Sequence, residues 1–82
     1  MSSPRGKELI KMEIMKKFEN ACLCAIACNE WAQKMYWKNL LKIYWSLEDD
    51  LLPEATEKLN ETINYLTFEE KVKFFKLVEK LK

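Results

Sequence analysis

From Gly6 to Leu47 the chain contains no proline and no second glycine, and an apolar residue recurs at helical spacing throughout. Ile10, Ile14, Phe18, Ala21, Ala25, Cys28, Ala32, Tyr36, Leu40, Ile43 and Leu47 cover 37 residues in ten steps, or 3.7 residues per step. That spacing belongs to an α-helix and to no strand. A second stripe, Leu9, Met12, Met15, Leu23, Ile26, Met35, Trp37, Leu41 and Tyr44, widens the apolar surface, and residues 21–28 are apolar on every side. Ser3 followed by Pro4 is a helix-start signal, because Ser caps a first turn and Pro there loses no needed N–H. The pattern fits one helix over residues 5–46, or a helical pair broken at Asn20 or Asn29, since Asn caps well at either end.

The next boundary is chemically marked. Ser46-Leu-Glu-Asp-Asp-Leu-Leu-Pro53 combines a capping Ser, acids suited to a helix N-terminus and a Pro tolerated only in a first turn. A helix is predicted from there to about Tyr65, with Leu52, Ala55, Leu59, Ile63 and Leu66 on its inner face. Thr67-Phe-Glu-Glu70 is a capping box that opens a last helix, with Phe68, Val72, Phe75, Val78 and Leu81 as its stripe and Phe74 and Leu77 beside it. No strand-like alternation, fixed-period repeat or low-complexity tract occurs. The expected fold is all-α: a single domain over residues 1–82, a small antiparallel helical bundle with a long N-terminal helix, straight or kinked, and two shorter helices.

A chain of 82 residues builds a core worth only ~3–5 kcal/mol of net stability unless something adds to it. If the N-terminal segment is one helix, two short helices cover about half of it. Ile14, Phe18, Ala21, Ala25, Cys28 and Ala32 then present a face for homodimer formation, its small residues allowing close helix approach. If the segment folds into a hairpin instead, it buries itself and the chain is expected to be monomeric.

Charge and missing residue types narrow the function. Fourteen basic and thirteen acidic residues leave a net charge of +1, so no whole-molecule field draws the chain to nucleic acid or an anionic membrane. Thirteen of the basic residues are Lys and only Arg5 is Arg, the residue that clamps phosphates and carboxylates in a bidentate fork. There is no His, which removes the commonest general base and the His-dependent nucleophile pairs and metal sites. Gly6 alone makes no phosphate loop. Cys22, Cys24 and Cys28 are three thiols without a fourth ligand, and the expectation is buried, reduced side chains in a cytoplasmic protein rather than zinc or a disulfide framework. The acids Glu48, Asp49, Asp50, Glu54, Glu57 and Glu61, offset by Lys58, read as a dipole-favoured helix start, with no Gly-containing calcium loop. The sequence therefore predicts a non-enzymatic protein with no cofactor, no metal, no signal peptide and no membrane span.

The most informative stretch is Trp31 to Trp45, with five aromatics in fifteen residues. Lys34, Lys38 and Lys42 recur every fourth residue and form one stripe, which Trp31 and Trp45 flank. One reading is the solvated face of a core helix. The functional reading makes Trp31, Lys34, Lys38, Lys42 and Trp45 a partner-binding surface, because Lys stems cover apolar surface and Trp anchors a partner. The preferred function is thus a protein-interaction module, an adaptor, inhibitor or assembly subunit that self-associates. The alternative is a small nucleic-acid-associated protein that uses this row together with Lys71, Lys73 and Lys76, if the two rows meet. A helix-turn-helix reader fits poorly, because the last helix opens with Glu69 and Glu70, which would face phosphates.

Overall fold

The computed structural model describes residues 6–82, which form α1 (Gly6–Ala27), a 3-10 turn (Glu30–Ala32), α2 (Gln33–Trp45), α3 (Leu52–Asn64) and α4 (Phe68–Leu81). No strand occurs among the described residues, so the all-α expectation holds. The start signal at Ser3-Pro4 lies outside them. No helix of the described residues is long and apolar enough to cross a membrane.

The single helix over 5–46 does not form. α1 stops at Ala27, Asn29 takes extended backbone (φ −69°, ψ 160°), and α2 turns back along α1. The indole Nε1 of Trp37 donates to the Ala25 carbonyl at 3.3 Å, and the rings of Phe18 and Tyr44 lie 5.9 Å apart. In one straight helix, at 1.5 Å rise per residue, those pairs would be separated by about 18 and about 39 Å. The reversal has a local cause and a packing cause. The last carbonyls of a helix need outside partners, and here the Cys24 carbonyl accepts from Cys28 N–H while Ala25 accepts from the indole that the reversal brings back. The segment apolar on every side is covered in part: α2 lies over Ala21 and Ala25 and Cys22 is buried beside Thr62 of α3, while Leu23 and Ile26 stay exposed.

That reversal removes the premise of the homodimer face. Phe18, Ala21 and Ala25 are buried in the chain's own core, and Ile14, Cys28 and Ala32 are partly covered. The small residues do permit close helix approach, but the approaching helix is α2. The cysteine expectation needs a similar correction: Cys22 is buried, Cys28 is half-buried and Cys24 is exposed, all three as free thiols.

Ser46 closes α2 rather than opening the next helix. Its backbone N–H bonds the Lys42 and Ile43 carbonyls and its hydroxyl donates to Ile43 at 2.9 Å. Leu51 stands at the cap of α3 without a side-chain bond, and Pro53 sits in the first turn as its chemistry requires. Ala55, Leu59 and Leu66 are buried as expected. α3 lies along α1 in register: Lys11 pairs with Asp50 and Glu19 with Lys58 at 3.5 Å, partners 39 positions apart in both cases. Tyr44 and Thr56 share a hydroxyl–hydroxyl bond of 2.6 Å that ties α2 to α3.

The capping box is present at the start of α4: Thr67 Oγ1 accepts from Glu70 N–H at 3.2 Å, and Glu70 Oε1 accepts from Thr67 N–H at 2.9 Å. The buried stripe of that helix is one residue out of phase with the expected one. Phe74 and Leu77 face the core, with Val78 and Leu81 against it, whereas Phe68, Val72 and Phe75 are exposed. α4 docks on α2 through Gln33 to Glu70 and through Trp37 to Phe74, whose rings meet edge to face at 5.6 Å. Both pairs are 37 positions apart, so the two helices run in the same direction.

Candidate functional site

α2 and α4 lie together at their N-terminal ends and frame a groove of about 850 Å³ beyond the contact. The contact is built from residues with two duties. Glu70 caps α4 through one carboxylate oxygen and accepts the buried Gln33 amide through the other. The Thr67 backbone N–H first, with Gln33 and the Thr67 hydroxyl helping, holds the Glu70 carboxyl below the ordinary carboxylate range. Trp37, only 2% exposed, caps the end of α1 with its indole N–H and meets Phe74 with its ring. The groove is therefore anchored to α1 through one side chain and to the start of α4 through another.

Lysines line both walls. Lys34 and Lys38 rise from α2, and Lys73, Lys76 and Lys80 rise from α4 at spacings of three and four that place them on one side of that helix. Glu30 is the one carboxylate in the lining, and it pairs with Lys73 at 3.4 Å. Among the described residues, Lys34, Lys38, Lys76 and Lys80 have no salt-bridge partner. Trp37, Leu77 and Leu81 form the apolar floor, and Trp31 stands at the rim, 87% exposed. A protein of net charge +1 thus gathers five ammonium groups around one apolar groove, while its acids concentrate over residues 48–61. Such a groove favours an anionic ligand that also carries apolar groups.

Three of the five expected partner-binding residues, Trp31, Lys34 and Lys38, line this groove; Lys42 and Trp45 are exposed but stand outside it. A four-residue step falls about 40° past a full turn each time, so Lys42 points some 80° away from Lys34. The second lysine row does meet the first, with a change of membership. Lys73 and Lys76 take part, Lys71 does not, and Lys80 joins. Lys80 is legible in hindsight as the next step after Lys76. Gln33 carried no signal in the sequence, being a lone amide beside an aromatic-rich stretch.

Two other features fall outside this groove. Tyr65, Phe68, Val72 and Phe75 make an exposed apolar row at and after the α3–α4 turn. A smaller depression between α1 and α2 is lined by Lys17, Asn20, Ala21, Cys24, Tyr36, Asn39 and Ile43. Burial pushes the thiols of Cys22 and Cys28 up, away from the reactive thiolate. No family model matches the chain, and the searches of curated proteins and of solved structures return no match.

Proposed function

We propose that the chain is a non-enzymatic protein-interaction module, an adaptor, inhibitor or assembly subunit, built as a small helical bundle that holds its partner on the α2–α4 face. The observation that carries this reading is the convergence of Lys34, Lys38, Lys73, Lys76 and Lys80 around Trp37, Leu77 and Leu81. Interfaces are enriched in Trp and Tyr at their anchors, and exposed Trp31 beside an apolar floor is such an anchor. Free thiols at Cys22, Cys24 and Cys28 go with a reducing, intracellular location. Self-association draws no support from the residues first assigned to it, because Phe18, Ala21 and Ala25 are buried within the chain and Ile14, Cys28 and Ala32 are partly covered.

The second reading is a nucleic-acid-associated protein, favoured by the meeting of the two lysine rows beside Trp31. Affinity capture from the native cell, with and without nuclease, separates the two. A protein partner that survives nuclease and is lost when Lys34, Lys38 and Lys76 are changed together to Gln supports the interaction module. Loss of every partner on nuclease treatment overturns it. So does a salt response approaching one unit of log affinity per contacted phosphate.

A further inference from the structure

We infer that the occupant of the α2–α4 groove is an acidic amphipathic helix of a partner protein, seated with its apolar stripe on the exposed indole of Trp31 and on Leu81 and its carboxylates against the two lysine walls. This rests on the interaction-module reading and goes further by naming the chemistry of the partner.

Charge complementarity is the first ground. The lysines stand on both sides of the groove, Lys34 and Lys38 on one wall and Lys73, Lys76 and Lys80 on the other, so the ligand needs negative charge along both flanks. The base between them is closed by the buried Trp37 and Leu77, and the apolar surface open to a ligand is that of half-buried Leu81 and of Trp31 at the rim. The ligand therefore also needs an apolar edge between its two charged flanks. A helix with apolar residues at i, i+3 or i+4, and i+7, and with Glu or Asp on either side, meets both requirements at once. Length agrees as well. The lining runs over residues 33–38 of α2 and 73–81 of α4, about 8 and 12 Å of helix, which matches about two turns of a partner helix.

Other anionic partners fit less well. Single-stranded nucleic acid gains its affinity from bases stacked on exposed aromatic faces. This groove offers one such face, Trp31, since the Trp37 indole at its base is buried against Phe74. An anionic bilayer is a flat surface, and the lysine walls would hold it away from the recessed apolar floor. The chain's own acidic helix, α3, is already committed, since Ala55 and Leu59 on its apolar side are buried in the core.

The test uses the intact protein and a fluorescent synthetic 14-residue helix carrying Leu and Phe on one stripe and Glu on both flanks. Titration followed by anisotropy and by tryptophan emission is expected to give saturable binding. Changing Lys34, Lys38, Lys76 and Lys80 together to Gln should weaken it at least tenfold. Two altered peptides need no change to the protein: replacing the flanking Glu by Gln, or the apolar stripe by Ser, should each weaken binding by a similar factor. Absence of binding by the acidic peptide overturns the inference, as does binding that survives loss of the stripe or that is unchanged in the lysine variant. Tighter binding of a 12-nucleotide single strand, or of vesicles rich in phosphatidylserine, also overturns it. If a partner from the cell is held through the same lysines while the peptide does not bind, the inference about its chemistry falls and the interaction module stands.

Discussion

Replacing Trp37 by Phe tests the reversal of the chain and the anchoring of the groove in one measurement. Phe retains an aromatic ring to meet Phe74 but lacks the N–H that reaches Ala25 across the α1–α2 turn. The loss has two parts. The smaller ring leaves a void on the order of 40 Å³, and at ~24 cal/mol per Å³ of cavity this costs about 1 kcal/mol. The Ala25 carbonyl loses the indole donor and keeps only the weak Cys28 thiol at 3.5 Å, a penalty of about 1 to 2 kcal/mol. The sum, about 2 to 3 kcal/mol, is a large share of the ~3 to 5 kcal/mol that a core of this size supplies. Urea unfolding followed by far-ultraviolet circular dichroism measures it. With a slope of about 1 to 1.5 kcal/mol per molar for so small a chain, the midpoint should fall by at least about 1.3 M with the slope unchanged. Trp31 to Phe is the control, since that side chain is exposed and its change should lie within about 0.5 kcal/mol. A midpoint shift under about 0.5 M for Trp37 to Phe would refute the reasoning, because neither a buried indole nor a bond across the turn is compatible with so small a loss.

Three further outcomes follow from the same contacts. Thr67 to Ala should cost about 1 kcal/mol in urea unfolding, because it removes the hydroxyl that accepts from Glu70 N–H; an unchanged midpoint would show that the cap contributes nothing. Glu70 has a depressed carboxyl pKa in the fold, so its contribution is complete above the ordinary Glu value near ~4.3 and is lost as pH falls through the lower folded value. The stability gap between the wild type and Glu70 to Gln should therefore narrow between about pH 5 and pH 3, and a constant gap over that window would contradict the assignment. Cys24 should react rapidly with an aromatic disulfide reagent while Cys22 waits for unfolding, since one is exposed and the other is buried with its thiol pushed up; mass mapping that finds Cys22 labelled as fast as Cys24 would exclude the described packing.

The sequence by itself determined that the chain is helical, because hydrophobic spacing and the scarcity of Gly and Pro act within a few residues of each other. It also determined the cap of α4, because Thr67 and Glu70 need only each other and the first turn. Helix phase was another matter. Apolar doublets at Tyr36-Trp37, Leu40-Leu41 and Ile43-Tyr44 let either of two neighbouring faces be read as the core, so the pattern ran through the break at Asn29 without a visible slip. Only packing chose Trp37 over Tyr36: the indole is buried and donates to the end of α1, while Tyr36 lies in the shallow depression between α1 and α2 and stays exposed. Phe74-Phe75 and Leu77-Val78 concealed the phase of α4 in the same way, and docking on Trp37 selected Phe74 and Leu77. Each lysine row was legible as a local four-residue repeat. Their meeting was not, since it depends on Gln33 finding Glu70 and Trp37 finding Phe74 across 37 positions of chain. Local spacing places residues on the faces of a helix, whereas the pairing of those faces is a property of the folded chain, decided by which contacts bury the most apolar surface without stranding a polar group.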